Sequence, residues 1–275
     1  MKYTLLKFPG FKTRAVTVSY DDGVIFDQRL IEILDKNGLK GTFNLNSGLF
    51  GQGKLRLTEE QAVELYANSG HEVAAHGKKH ISMAEMQDPI VVDEIINDRL
   101  ALEKTFGKLI TGWAYANGSY DDRSVDILKK SGFEYARTTV KSEKFALPDD
   151  WLQWAPTCHH SHPRLMELVK EFLTDSNYLY YWAQSPRVFF LWGHSYEFND
   201  NDNWNVIEEF AETIGNREDI WYATNIEICQ YVKAFNSLQF SANGEKVHNP
   251  TAMDVYLNYF KEDILVKSGE TVKLK

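Results

Sequence analysis

Two aspartates, Asp21 and Asp22, stand side by side in VTVSYDDGV, at the end of a β-branched run and just before Gly23. In a regular strand they would point to opposite faces, so they can serve one site only where the backbone leaves strand geometry, which Gly23 permits. Held together, two carboxylates repel and raise one another's pKa unless a cation or hydrogen-bond donors offset the cost. The pair therefore calls for a metal or an arginine nearby; an acidic turn with aspartate as a cap is the plainer alternative.

The stretch GHEVAAHGKKHISM supplies nitrogen donors. His76 and His80 are four apart, which on a helical turn puts both on one face at a spacing that suits a single ion. His71-Glu72 does not complete an HExxH motif, because the next histidine lies five positions beyond His71, so the zinc-protease reading fails. In RVFFLWGHSYEF an apolar strand delivers His194 just past a glycine, as a proton donor or as a polar residue closing the strand. QWAPTCHHSHP brings His159, His160 and His162 after another strand, one of them to touch substrate and the others to lie in a solvated loop.

The elements that must position these residues alternate along the chain. Short apolar runs at 15–20, 41–45, 72–75, 112–115, 134–138, 153–157, 187–192 and 220–223 read as strands. Segments of helical period lie between them at 26–37, 59–69, 89–106, 122–131, 163–173, 205–214 and 226–235, several ending at glycine, as in DKNG, ANSG and KKSG. This alternation is that of a parallel α/β architecture, and seven or eight such strands predict a (β/α) barrel. Asp21, Asp22, His76, Asn117, Arg137, His159 and His194 all occupy or follow the C-terminal ends of predicted strands, the face on which a barrel builds its active site. Asp22, His76 and His80 then make a two-histidine, one-carboxylate set with open positions, a pattern used by hydrolytic zinc sites and by non-haem iron sites. After residue 236 the pattern changes to short alternating runs with turn signals at Asn243-Gly244 and Ser268-Gly269. The expected organisation is a barrel over 1–236 and a small β-rich extension over 237–275.

Composition narrows the partners. With 275 residues, 43% hydrophobic, 25% charged and a net charge of −9, the chain suits a globular protein and disfavours a general nucleic-acid or anionic-membrane surface. Cys158 and Cys229 are far apart and form no CxxC, so neither a disulfide framework nor a cysteine zinc site is expected. The N-terminus has no sustained apolar segment followed by a cleavage site, and no run reaches transmembrane length, so the chain as written reads as cytoplasmic. No pattern in the sequence specifies an oligomeric state.

Together these residues resemble the polysaccharide deacetylases, carbohydrate esterase family 4, over about residues 12–235. SYDD is similar to the family's TFDD motif, HGKKH to its H(S/T)xxH motif with Gly77 in place of the hydroxyl residue, and LWGHSYEF to its late leucine-and-histidine motif. The resemblance implies an irregular (β/α) barrel that hydrolyses N- or O-acetyl groups on a carbohydrate. It makes Asp21 the general base, His194 the general acid, and Asp22, His76 and His80 the ligands of one divalent ion, zinc first, with Co2+, Ni2+, Mn2+ or Fe2+ as alternatives.

The family's arginine, proline, proline, tyrosine, glycine run is replaced here by WAYANGSY, with Ala114 where the arginine would stand and Asn117 where the tyrosine would. We expect Arg137, in EYARTT on the next strand, to supply the missing cation to Asp21, since a guanidinium within about 4 to 6 Å keeps a carboxylate ionised. Trp192 resembles the position lining the family's acetyl pocket. Tyr115, Asn117, His159 and Glu197 are the other candidate substrate contacts, and Trp113, Trp182, Trp204 and Tyr196 offer rings to sugar faces. Rival readings are a cyclic amide or imide hydrolase on the same barrel, an iron-dependent oxygenase, and a carbohydrate-binding relative without activity.

Overall fold

A computed structural model describes residues 5–174 and 185–274. Strand β1 (Leu6–Lys7) is followed by β2 (Arg14–Asp21), whose eight residues RAVTVSYD are all buried, as a parallel strand covered on both faces requires. β3 (Gly41–Leu45), β4 (Glu72–Ala75), β5 (Gly112–Ala114) and β6 (Tyr135–Arg137) add to one side of β2 in chain order. β8 (Arg187–Gly193) and then β7 (Cys158–His159) add to the other side, while β9 (Ile220–Tyr222) pairs with the first residues of β2; every pairing in this sheet is parallel. A parallel bridge from Arg137 to Trp154 ties β6 to the segment leading into β7, carrying the curled sheet round as an irregular (β/α) barrel.

Helices α1 (Asp27–Lys36), α2 (Glu59–Tyr66), α3 (Asp88–Phe106), α4 (Asp122–Lys130), α5 (Leu165–Leu173), α6 (Ser195–Asp200), α7 (Asn205–Ile214) and α8 (Asn225–Asn236) connect the strands. Three of them begin in capping boxes, Thr58 with Gln61, Asp121 with Ser124 and Thr224 with Glu227, in which each cap oxygen accepts an otherwise orphaned N–H. Val16, Val18 and Phe43 of the sheet meet Leu30, Leu34, Val91 and Ile95 of the helices in the main core. Among the described residues, no helix is long and apolar enough to cross a membrane.

The last strands form two small antiparallel sheets. β10 (Gln239–Phe240), β11 (Lys246–His248) and β14 (Thr271–Lys273) make one; β12 (Val255–Tyr259) and β13 (Glu262–Val266) make the other with β1 on its edge. Val247, Val255, Leu257, Val266 and Leu274 share a core with Ala234 at the end of α8, so the extension packs onto the barrel.

Two expectations shift. The strand expected at 153–157 is displaced: the Asp150 carboxylate accepts the Leu152 N–H at 2.9 Å and winds 151–153 into a 3-10 turn, and Pro156 has no N–H to pair. Regular pairing begins only at Cys158. The polar stretch SYEFND, outside every expected helix, is the short helix α6.

Candidate active site

Asp21 is the last residue of β2, and at Asp22 the chain turns to a φ of +89°, with Gly23 next at +63°. A non-glycine residue in this region carries backbone strain, which the surroundings must hold in place. Here the Asp22 N–H still donates to the Asn44 carbonyl at 2.9 Å. The turn sends the adjacent carboxylates to different partners.

Asp21 is buried. Asn44 Nδ2 donates to its Oδ1 at 2.8 Å, and Arg137 Nη2 meets its Oδ2 at 2.5 Å. Burial by itself would raise the Asp21 pKa, but Arg137, His76, His194 and the Asn44 hydrogen bond together hold it below the usual carboxylate value. Arg137 is fully enclosed, its Cζ 4.4 Å from the centre of the Trp192 ring. The cation sought for Asp21 is thus in direct contact with it, across 116 positions of sequence.

His76 and His80 meet on a loop, not on the helical turn that their spacing suggested. The His76 and Gly77 N–H groups donate to Asp98 Oδ2 at 3.1 and 2.9 Å, and the Lys79 N–H donates to Glu94 Oε1 at 2.6 Å. These side-chain acceptors take the donors that a helix would have used. Gly77 lies at a φ of +87°, and a Cβ there would come within 2.8 Å of Glu94 Oε1, which explains glycine in place of a hydroxyl residue.

The His76 Nδ1 is 2.8 Å from the Ala114 carbonyl, to which it donates, so the lone pair sits on Nε2. That Nε2 is buried and has no hydrogen-bond partner. Burial pushes the His76 pKa down to about 4, leaving the ring neutral. His80 Nε2 is 3.7 Å from Asp22 Oδ1, and one donor atom from each of Asp22, His76 and His80 lies within 4.8 Å of the others. Two imidazoles and a carboxylate around an orphaned nitrogen fit a zinc-class ion.

His194 follows β8 and caps α6. Its Nε2 lies 3.8 Å from Asp21 Oδ2, and its Nδ1 lies 3.3 Å from Glu197 Oε1, one turn along the new helix. Burial would lower the His194 pKa, but Glu197 and both aspartates outweigh it and raise the pKa above the ordinary histidine value. Glu197, expected to meet sugar hydroxyls, is instead gathered among histidines: its Oε2 is 3.1 Å from His159 Nε2 and 3.0 Å from His160 Nε2. His160 is buried rather than solvated.

Other candidates are placed differently. Trp192 packs edge to face on His159 at 4.6 Å, beside the Arg137 guanidinium. Tyr115 turns inward, its hydroxyl donating to the Leu152 carbonyl at 2.8 Å, so its side chain offers nothing to a ligand. Asn117 is exposed at a φ of +56° and donates to Ser82 Oγ at 3.2 Å. Trp113 and Trp204 are core residues, Tyr196 packs against His194 at 5.2 Å, and Trp182 lies outside the described residues.

Several supporting residues escaped the sequence reading. Asn44 is signalled only by a polar residue in a buried strand. Arg56 Nη2 sits 3.0 Å from Asp22 Oδ1, and Nη1 of the same arginine donates to Asn46 Oδ1 at 3.0 Å. Asp27 is buried and pushed up to about 7, chiefly by desolvation; it accepts from Tyr66 at 2.5 Å and from the Ser195 hydroxyl, tying the aspartate turn to the residue after His194.

Residues 10–136, which carry Asp21, Asp22, His76 and His80, match the family model for polysaccharide deacetylase. An Arthroderma benhamiae protein assigned as a peptidoglycan-N-acetylglucosamine deacetylase is 31% identical over 90 residues, 31% of this chain and 20% of that protein. A Bacillus subtilis protein assigned as a polysaccharide deacetylase is 25% identical over 127 residues, 46% of this chain and 45% of that one. The matches thus span less than half the length of either relative. A structure from Mycobacterium smegmatis assigned as a polysaccharide deacetylase shares the fold at a TM-score of 0.61, with 17% identity, 84% of this chain and 94% of that chain covered. An allantoinase shares it at 0.59 with 11% identity, covering 81% of this chain and 91% of its own.

Proposed function

We propose that the protein is a divalent-metal-dependent deacetylase that hydrolyses N- or O-acetyl groups on a carbohydrate. The observation that carries this reading is Asp21, a buried carboxylate in contact with Arg137 that lies between the Asp22, His76 and His80 donor set and His194. Asp22, His76 and His80 would hold the cation, zinc first, with Co2+, Ni2+, Mn2+ or Fe2+ as alternatives. Bound there, the ion supplies Lewis-acid polarisation of an acyl carbonyl and acidification of a water.

The chain's own groups do the rest. Asp21, aimed by Arg137 and Asn44, accepts the proton of the attacking water. His194 delivers a proton to the departing sugar nitrogen or oxygen, and its raised pKa suits that role. Trp192, packed on Arg137 and His159, lines the space for the small acetyl group. The activity resides in residues 1–236, with 237–275 as an extension that buttresses α8.

The test is acetate release from N-acetylglucosamine oligomers and O-acetylated xylan. Activity is expected to vanish on chelation and to return with zinc or cobalt; absence of acetate from every substrate at full metal loading overturns the proposal. Opening of a cyclic amide needs the same base and acid, and the allantoinase fold likeness gives that second reading its place. Turnover of hydantoin-type rings without acetate release would select it, and sugar binding without turnover would select a binding protein.

A further inference from the structure

The chain has eight histidines, and the donor set above uses two of them. Three more converge on the far side of Asp21, around the single carboxylate of Glu197. His159 Nε2 and His160 Nε2 approach Oε2 at 3.1 and 3.0 Å, and His194 Nδ1 approaches Oε1 at 3.3 Å. One donor atom from each of His159, His194 and Glu197 lies within 4.8 Å of the others.

These approaches are close but poorly aligned as hydrogen bonds. Both His194 Nδ1 and Glu197 Oε2 are buried polar atoms without a hydrogen-bond partner. Nitrogen and oxygen atoms crowded together without donor–acceptor alignment resemble the edges of a coordination polyhedron. The other ring nitrogen of His159 is 2.7 Å from Ser161 Oγ, the outer hydrogen bond that typically steadies a ligating histidine. His160 differs: its ring packs on Phe198 at 4.1 Å and its Nδ1 has no partner, so it serves as a wall. The His159, His194 and Glu197 side chains are 20%, 19% and 28% exposed, open enough for an ion to enter.

We propose that His159, His194 and Glu197 form a second divalent-cation site, selective for zinc-class ions that accept mixed nitrogen and oxygen donors, and that filling it inhibits the enzyme. To act as an acid through Nε2, His194 must carry a proton on Nδ1 as well. A cation bound at Nδ1 takes the electron pair which that proton needs, so the loaded histidine cannot serve as the acid. The inhibitory half rests on the role given to His194 under the proposed function; binding itself does not.

Metal-free wild-type protein is titrated with Zn2+ and, separately, Co2+, with bound metal measured by equilibrium dialysis and the Co2+ visible spectrum. Two equivalents are expected, one tighter than the other. His80→Ala keeps the weaker equivalent, while His159→Ala and Glu197→Gln each keep only the tighter one, with circular dichroism confirming that each variant is folded. Acetate release rises through the first equivalent and falls about 10²-fold across the second, the scale of a lost general acid. A single equivalent in the wild type, or a second one that survives both His159→Ala and Glu197→Gln, overturns the site. Two equivalents with unchanged acetate release overturn the inhibition alone. Two equivalents with no acetate at any loading count against the deacetylase reading and leave the site standing.

Discussion

Asp21 and Glu72 are buried carboxylates at opposite ends of the same parallel sheet, and their surroundings treat them in opposite ways. Asp21, at the C-terminal end of β2, meets a guanidinium and an amide and is held below the usual carboxylate value. Glu72, at the N-terminal end of β4, accepts from Thr42 Oγ1 at 2.9 Å, Tyr135 OH at 2.7 Å and the Ile226 N–H at 2.9 Å, yet burial pushes it up to about 7. Neutral donors soften the desolvation of a carboxylate; a buried cation reverses it. One end of the sheet is built to keep a charge and the other to knit the barrel to the start of α8.

The sharpest way to break this contrast is Asp21→Asn, which keeps the shape and removes the proposed base. Acetate release is expected to fall about 10³-fold in metal-loaded protein with the fold unchanged. A loss below tenfold would move the base elsewhere.

Arg137→Met comes next, with an expected loss of about 10²-fold in kcat/KM and about 3 kcal/mol of stability from the buried charge left unpaired. Without the cation the Asp21 pKa rises, so the acidic limb of the pH–rate profile moves to higher pH. A limb that stays in place would mean that Arg137 only fills space. In the wild type, Asp21 has the lowered folded pKa; its contribution to stability is present above the unfolded value and is lost as pH falls through the folded one.

Glu72→Gln tests the other end with the smallest effect on catalysis, none beyond about twofold, since it touches no reacting group. The folded pKa of Glu72 is raised from 4.5 to about 7, so its contribution to stability is complete below 4.5 and is lost as pH rises through 7. The glutamine stays neutral throughout. Its stability relative to wild type should therefore improve between pH 5 and pH 8, by on the order of 2 kcal/mol in denaturant midpoints. A constant difference would mean that Glu72 is charged at both pH values.

Local pattern was enough for the parts that obey local rules. The β-branched run before Asp21 marked a buried strand, the glycine after Asp22 marked the turn, and the spacing of His76 and His80 marked two donors that meet even though the backbone between them is a loop. It failed where Asp150 winds a turn into an apolar stretch, and where α6 forms in a segment with no expected helix. The β12–β13 hairpin likewise turns at Phe260 and Lys261, both at positive φ and neither a turn-former by type.

By itself, the sequence determined the alternation of strands and helices, the barrel class, and the residue types gathered at the strand ends, because hydrophobic period and spacing act over a few neighbouring residues. Only the tertiary structure decided which charge meets which. Arg137 reaches Asp21 across 116 positions, and Glu197 lies beneath three histidines, two of them from the end of β7 and the residue after it. Such meetings depend on the order and curl of the sheet, which long-range packing sets.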